Sequence, residues 1–248
     1  MQSELMKISG VSHCFHTVEG ETTAIQNLDL TVYEGEFLAI VGPSGCGKTT
    51  VLSLIMGLLD PTEGSIRFAR ENLRLGYMLQ RDHLLDHRTV DRNVLLGLEV
   101  QHRLTEESRA RAFSLLDKYG LREFKAFKPQ QLSGGMRQKV ALIRTLALEP
   151  DLLLLDEPFS ALDYQTRLNL CDEVYRIIRS EHKSAILVTH DISEAVSMAD
   201  RVAVFSARPA RLKAMIPIGF SAEMSPLERR SQPAFHDCFD RIWKELQP

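Results

Sequence analysis

The amino-acid sequence predicts an α/β protein whose core is a mainly parallel sheet. Two short segments, Phe37–Val41 and Leu152–Leu155, are continuously apolar, as expected of strands that are buried on both faces. Strand-like and helix-like segments alternate along much of the chain, and this alternation favours parallel strands joined by helices. Residues 83–148 lack strand patterns and predict an inserted helical region.

The composition is that of an ordinary globular protein. The 248 residues are 44% hydrophobic and 25% charged, which excludes a disordered chain and a fibrous repeat. A chain of this length forms one large domain or two small ones and buries a core without disulfides. The formal net charge is −3, so there is no strongly basic field, and we expect no nucleic-acid partner.

The first predicted elements are strands that flank a glycine-rich turn. Leu28, Leu30 and Val32 alternate with polar residues and indicate a half-exposed strand of an antiparallel β-subdomain. After the buried strand at Phe37–Val41, three glycines within residues 42–47 break the pattern. The next predicted elements are a helix at Thr49–Leu59, stopped by Pro61 and Gly64, and strands at Ser65–Phe68 and Leu75–Leu79.

Helical periodicity dominates the inserted region, and α/β alternation returns after it. One helix is indicated by apolar residues at three- and four-residue steps, with a glycine at its carboxyl end: Ala112, Leu115, Leu116, Tyr119 and Gly120. A second carries the stripe Leu168, Cys171, Val174, Ile177 and Ile178. The elements predicted after it are strands at Ala185–Val188 and Val202–Phe205 and a short helix at Ile192–Met198.

Residues 207–248 are predicted to form an irregular tail that ends in one amphipathic helix. Prolines interrupt the tail after Ser206, at Pro209, Pro217, Pro226 and Pro233. The helix has an apolar face made of Phe235, Phe239, Ile242, Trp243 and Leu246. Two interpretations of this face stay open: it docks on the core of the domain, or it contacts a partner.

Neither a membrane span nor a disulfide framework is predicted. The longest apolar run, Val51–Leu59, is far shorter than the roughly 20 residues that span a bilayer, and the amino terminus does not resemble a secretory signal. The four cysteines have spacings that fit neither a zinc site nor a disulfide framework: Cys14, Cys46, Cys171 and Cys238. We therefore expect reduced thiols in a cytosolic protein.

A phosphate loop follows the first buried strand. The segment GPSGCGKT fits the pattern G-x-x-x-x-G-K-[ST], which binds phosphates through backbone N–H groups and a helix amino terminus. Lys48 supplies a cation for the β- and γ-phosphates, and the Thr49 hydroxyl is an oxygen ligand for Mg²⁺. The residues predicted to bind the nucleotide here are Gly42, Pro43, Ser44, Gly45, Cys46, Gly47, Lys48, Thr49 and Thr50. Two interpretations of Cys46 stay open. A bulky thiol reagent attached to it would block binding of the nucleotide, or the residue merely fills a permissive position in the loop.

Two acidic residues end the second buried strand, where the ligand edge of an open α/β sheet lies. Asp156 can hold Mg²⁺ directly or through water, and Glu157 can polarise the attacking water. The alternative is a helix-capping pair without a catalytic role.

The segment Leu132–Gln138, LSGGMRQ, resembles the signature motif of the ATP-binding cassette (ABC) family, and the resemblance runs from about residue 4 to about residue 206. Gln80 resembles the glutamine of the family's Q-loop, Ser160–Asp163 the D-loop and His190 the switch histidine. Phe15 lies where the family places an aromatic ring that stacks on adenine, although it could be ordinary core. The resemblance implies an ATPase with ATP and Mg²⁺ as its ligands.

The resemblance also implies how the site is assembled. Two cassettes pair head to tail, so Ser133, Gly134 and Gly135 of one chain would contact the γ-phosphate held by Lys48 of the other. Asp163 would link the two sites. Glu157 would be the general base, His190 would contact the γ-phosphate, and Gln80 would contact the metal and the water. The implied metal ligands are Thr49, Gln80 and Asp156.

Within the family, the chain resembles the ATPases of nitrate, sulfonate and taurine importers in the segments GPSGCGKTT, TVDRNVLLGLEV, DEPFSALD and FDRIWKEL. This branch also includes cassettes for bicarbonate and for pyrimidine-type vitamin precursors. Partners would be a second ATPase subunit, identical or paralogous, membrane permease subunits at the cytoplasmic face of the membrane and, indirectly, a substrate-binding protein. Departures such as Asp86-His87 after Leu84-Leu85 leave the cargo open. There are two alternatives: an exporter or lipid-transport cassette, and a soluble ABC ATPase that acts on DNA or ribosomes.

The expected domain organisation is a single ABC ATPase domain. Residues 1–82 and 149–206 would form a RecA-like core with the β-subdomain, residues 83–148 the helical subdomain, and residues 207–248 a C-terminal extension.

Overall fold

In the computed structural model, residues 3–18 and 20–247 are described, and they form two compact units. The first unit is built from the chain up to Leu73 and again from Tyr175 onward, and the second is Arg74–Val174. The predicted helical insertion falls within the second unit. Strands and helices occur in both units, so the α/β class is confirmed.

The first unit contains two groups of paired strands. An antiparallel sheet has the order β2-β1-β4, made of β1 (Glu4–Thr17), β2 (Gly20–Tyr33) and β4 (Glu63–Phe68). In the other group, β3 (Phe37–Val41) pairs in parallel with both β7 (Ser184–Thr189) and β8 (Arg201–Phe205), and β9 (Leu212–Pro217) pairs antiparallel with β8. The helices of this unit are α1 (Lys48–Ile55), the last part of α5 (Tyr164–Ser180), α6 (Ile192–Met198), α7 (Pro226–Arg230) and α8 (Pro233–Leu246). Every residue of β3 is buried, which confirms the strand predicted from the continuous apolar run Phe37–Val41. Every residue of β7 is buried as well.

The second unit is mainly helical around one parallel strand pair. The pair consists of β5 (Leu75–Met78) and β6 (Leu152–Asp156). Its helices are α2 (Val90–Val100), α3 (Glu106–Lys118), α4 (Gly134–Leu146) and the first part of α5 (Tyr164–Ser180), with two short 3₁₀ turns at Arg122–Phe124 and Pro129–Gln131. Gly120 has φ +75° just after α3, as its predicted position at the helix end requires.

Two elements near the amino terminus differ from the sequence-based expectations. The long strand β1 was not predicted, because shifts in its pairing register and Gly10 at φ +57° interrupt the alternation of apolar and polar residues. Helix α1 ends at Ile55 and not at Leu59, because Gly57 takes φ +71° and turns the chain before Pro61 is reached.

The carboxyl-terminal region is more regular than predicted. It adds β9 to the edge of β8, and it forms α7 before α8. The prolines suggested an irregular tail, but they stand at positions where regular elements tolerate proline. Pro217 ends an edge strand, and Pro226 and Pro233 begin helices. Helix α8 packs on its own unit against α6 and β8, which agrees with the docked interpretation. Its buried residues are Phe235, Cys238 and Ile242, whereas Trp243 is exposed, so the predicted apolar face is only partly right.

Candidate functional site

The phosphate loop connects β3 to α1 in the first unit, and its glycines are required by its geometry. Gly45 has φ +72° and Gly47 has φ +128°, conformations that other residues adopt at a cost. A Cβ on Gly47 would lie 2.8 Å from Ile25 Cδ1 and 3.0 Å from the carbonyl oxygen of Ala24. The loop is therefore held tightly against β2, and only glycine fits at its end.

Lys48 is the first residue of α1, at the end of this loop. Its side chain is buried, and Nζ donates hydrogen bonds to the carbonyl oxygens of Gly42 (2.8 Å) and Pro43 (3.0 Å). The first turn of α1 carries no acidic residue, so the positive end of the helix dipole is not neutralised there. The loop thus places an ammonium group and a helix amino terminus together, which suits phosphate.

The remaining loop residues divide by exposure. Pro43, Ser44 and Thr49 are exposed, and Thr50 is half-buried. Cys46 is buried, and this burial raises the pKa of its thiol, although the nearby charge and hydrogen bond of Lys48 oppose the rise.

His190 leaves the sheet at the same edge as the phosphate loop. In the parallel pair of β3 and β7, Val41 lies opposite Thr189, so the residues that follow both strands emerge side by side. The turn after His190 is held by Asp191, whose carboxylate accepts hydrogen bonds from the N–H groups of Ser193 (2.7 Å) and Glu194 (3.2 Å). The His190 side chain itself is exposed.

Phe15 lies on β1 in the same unit. It is half-buried and makes an edge-to-face contact with His13, with ring centroids 4.6 Å apart. His13 pairs across the sheet with Ile25, the residue that approaches Gly47. Phe15 is therefore two residues along the strand from the part of the sheet that supports the phosphate loop.

The acidic residues and Gln80 meet in the second unit. Strands β5 and β6 are parallel, with Met78 opposite Leu155, so Gln80 and the residues that end β6 reach the same edge. The Gln80 Nε2 group donates a 3.4 Å hydrogen bond to Glu157 Oε2. Asp156 is buried, and Glu157 has a left-handed backbone (φ +44°), a strained conformation typical of functional positions.

Tyr77 is a site residue that the sequence analysis missed. Its hydroxyl donates a 3.3 Å hydrogen bond to Asp156 Oδ2. Tyr77 follows Gly76 in β5, and only the pairing of β5 with β6 brings it beside the acid, so no local motif marked it.

The signature segment (Leu132–Gln138) begins helix α4. Ser133 is the N-cap residue, and its Oγ accepts a 3.3 Å hydrogen bond from the N–H group of Met136. A Cβ on Gly134 or Gly135 would lie 3.1 Å from the side chains of Leu162 or Thr166, so glycines permit this close packing. A cavity of about 200 Å³ opens beside Ser133 and Gly135, with Lys139 in its lining.

Asp163 precedes α5 on the same unit. Its Oδ1 accepts a 3.0 Å hydrogen bond from the N–H group of Thr166. Hydrogen bonds from Thr166 hold the pKa of this exposed carboxyl below its usual value. Asp163 is therefore an ionised cap at the start of a helix.

The signature helix is tied directly to the segment that follows Gln80. Arg137 donates two hydrogen bonds to the Asp82 carboxylate, at 2.9 and 3.3 Å. Arg144, two turns further on, donates to the carbonyl oxygens of Asp82 (2.6 Å) and His83 (2.8 Å). Burial raises the pKa of Asp82, but hydrogen bonds and the two cations outweigh it, so its pKa is lowered. No sequence motif indicated this network.

Comparison with known proteins shows the family of this chain. Residues 25–160 match the family described as ABC transporter. The chain is an ABC transporter ATPase cassette. It is 44% identical to the uncharacterized ABC transporter ATP-binding protein YtlC of Bacillus subtilis, over 97% of this chain and 95% of that protein.

Two further similarities bear on the cassette's function. It is 38% identical to the aliphatic sulfonates import ATP-binding protein SsuB of Bacillus licheniformis, over 92% of this chain and 88% of that protein. A dimeric, post-hydrolysis structure of the ATP-binding cassette MJ0796, bound to ADP and Pi, superimposes with a TM-score of 0.73 at 30% identity. It covers 87% of this chain and 100% of the other. None of the cassette's helices in residues 3–18 and 20–247 has the length and apolarity that a membrane span requires.

Proposed function

We propose that the cassette hydrolyses ATP as one of a pair and thereby powers import through separate membrane subunits. The observation that carries the hydrolytic step is the hydrogen bond between Gln80 and Glu157 beside the buried Asp156. A carboxylate in this position can accept a proton from the attacking water, while the amide holds the carboxylate in place. Lys48 and His190 would donate to the phosphate oxygens.

Magnesium fits the donors that these residues provide. Thr49 offers a hydroxyl, Gln80 an amide oxygen and Asp156 a carboxylate, and hard oxygen ligands of this kind suit Mg²⁺. When bound, the ion supplies positive charge to the phosphate oxygens. Tyr77 would keep the Asp156 carboxylate oriented toward its ligand through the hydrogen bond to Oδ2.

Pairing of two cassettes supplies the remaining phosphate contacts. Ser133 caps a helix whose first turn has no acidic residue, so the N–H groups of Gly134 and Gly135 begin a second anion site. We assign this site to the γ-phosphate held by the partner cassette, with Asp163 at the junction. The pairing itself is supported by the similar cassette MJ0796, whose known structure is dimeric.

The test is Glu157→Gln, with Glu223→Gln, on an exposed loop, as the matched control. Loss of the general base should lower ATP turnover by about 10²–10⁴-fold while nucleotide binding is kept. The variant should accumulate as an ATP-bound dimer in light scattering, whereas the control should turn over normally. Unchanged turnover would remove Glu157 from the mechanism, and a strictly monomeric ATP complex would contradict the pairing.

Import of a small anion or organic solute is the transport role that the relatives support. SsuB, an aliphatic sulfonates import protein, is similar over most of the chain. The cassette would then bind permease subunits at the cytoplasmic face of the membrane and act with a substrate-binding protein. Co-purification with a permease, followed by ligand measurement on the associated binding protein, identifies the cargo. A cassette that copurifies with ribosomes or DNA instead would contradict the transport role.

A further inference from the structure

The end of the β1–β2 hairpin brings three metal-ligating side chains together. Cys14 and His16 are two residues apart on β1, so they project from the same face of the strand. His16 lies opposite Glu21 in the pairing register, and Cys14 lies opposite Thr23. The ligand atoms of Cys14, His16 and Glu21, hereafter the hairpin cluster, all lie within 4.8 Å of one another.

The spacing of these atoms is close to that of a coordination shell. Tetrahedral zinc with bonds of about 2.0–2.3 Å separates its ligand atoms by about 3.3–3.7 Å. His16 Nδ1 already lies 3.1 Å from Glu21 Oε1. Both side chains are exposed, so small rotations about their side-chain torsions can close the remaining distances.

The surroundings of the sulfur atom suit coordination as well. The Thr23 hydroxyl donates to Cys14 Sγ at 3.9 Å, which is a second contact that would stabilise a bound thiolate. The backbone N–H group of Cys14 donates to Thr62 Oγ1 at 3.1 Å and fixes the strand at this point. Of the four cysteines, Cys14 alone is not buried.

We propose that the hairpin cluster binds a divalent transition-metal ion of the zinc class through Cys14 Sγ, His16 Nδ1 and a Glu21 carboxylate oxygen, with water as the fourth ligand. Sulfur, imidazole and carboxylate donors select zinc-class ions over Mg²⁺ and Ca²⁺. Binding forms the metal–sulfur bond and releases the thiol proton to solvent. This site is separate from the magnesium ligands proposed for hydrolysis, all of which are oxygen donors.

Cobalt(II) titration of the metal-free full chain tests the proposal. We expect one Co²⁺ per chain, a thiolate-to-cobalt charge-transfer band in the near ultraviolet, and displacement by Zn²⁺, which binds N/O/S sites more tightly. Ions at the ATP site give no such band, because their ligands are oxygens. The buried thiols Cys46, Cys171 and Cys238 are not accessible in the folded chain.

The variants separate coordination from a simple ion pair. Cys14→Ser should abolish the band, and His16→Gln and Glu21→Gln should each weaken Co²⁺ affinity by about tenfold or more. His182→Gln, at an exposed histidine away from the hairpin, should leave binding unchanged. ATP binding confirms that each variant is folded. Absence of the band in the wild-type chain, or its persistence in Cys14→Ser, would overturn the proposal, as would unchanged affinity in both other variants.

Discussion

Replacing Arg137 with methionine should weaken the connection between the signature helix and the segment after Gln80. The guanidinium group makes two hydrogen bonds to the Asp82 carboxylate, and the two side chains are 34% and 16% exposed. A fully solvated ion pair contributes up to about 1 kcal/mol to stability, and disruption of a buried one costs about 3–5 kcal/mol. The exposure of the Arg137–Asp82 pair lies between these two cases. After allowance for solvent screening, we expect Arg137→Met to lower the free energy of unfolding by about 1–2 kcal/mol at pH 7.

The pH dependence of this loss has a definite sign. Burial alone would raise the pKa of Asp82, but the hydrogen bond and charge of Arg137 help to lower it in the folded state. A carboxyl whose folded pKa is depressed stabilises the fold above its unfolded pKa, and this contribution disappears as the pH falls through the folded pKa. The difference between the wild-type and Arg137→Met chains should therefore shrink below about pH 4, near the ordinary pKa of aspartate.

Thermal unfolding of a double-mutant cycle measures the interaction directly. At about 2–4 °C per kcal/mol for a chain of this size, Arg137→Met should lower the midpoint by about 2–8 °C. Its coupling to Asp82→Asn should be about 1–2 kcal/mol at pH 7. Arg70→Met, which breaks the exposed pair with Glu34, is the control and should lose less than about 1 kcal/mol. A coupling near zero at pH 7, or one that persists unchanged at pH 3, would refute the reasoning.

Three further predictions follow from local geometry. Gly47→Ala should abolish ATP binding, because φ is +128° and the new Cβ would lie 2.8 Å from a side-chain carbon. The new Cβ in Gly45→Ala would meet no atom within 4 Å, so this variant should lose only about 1–2 kcal/mol of stability through backbone strain. Nucleotide titration and thermal unfolding compare the two variants, and a larger effect at Gly45 than at Gly47 would contradict the prediction. In metal-free protein, a small alkylating reagent should modify Cys14 at least about tenfold faster than Cys46, because burial raises the pKa of the Cys46 thiol. Peptide mass spectrometry measures the two rates, and equal rates would contradict the assigned burial. Asp191→Ala removes two N-cap hydrogen bonds, so chemical unfolding should show a loss of about 0.5–2 kcal/mol, and no loss would show that the cap is dispensable.

Segments with a strong local pattern were predicted well from the sequence. The continuous apolar runs at β3 and β6 allow only fully buried strands, and their positions agree with the structure within a residue. Strand β1 escaped prediction because its bulges shift side chains between faces, which hides the period of two. The carboxyl-terminal strand β9 escaped because its partner, β8, supplies the pairing that its own composition does not indicate.

The phosphate loop, the acidic pair and the signature segment could be recognised from the sequence, because each consists of contiguous residues in a characteristic spacing. The folded chain was needed to show that Tyr77 hydrogen-bonds to Asp156, that Arg137 hydrogen-bonds to Asp82, and that the residues of the hairpin cluster lie close together. These contacts depend on strand register and helix packing, which are set by burial across the whole unit and leave no fixed spacing in the chain.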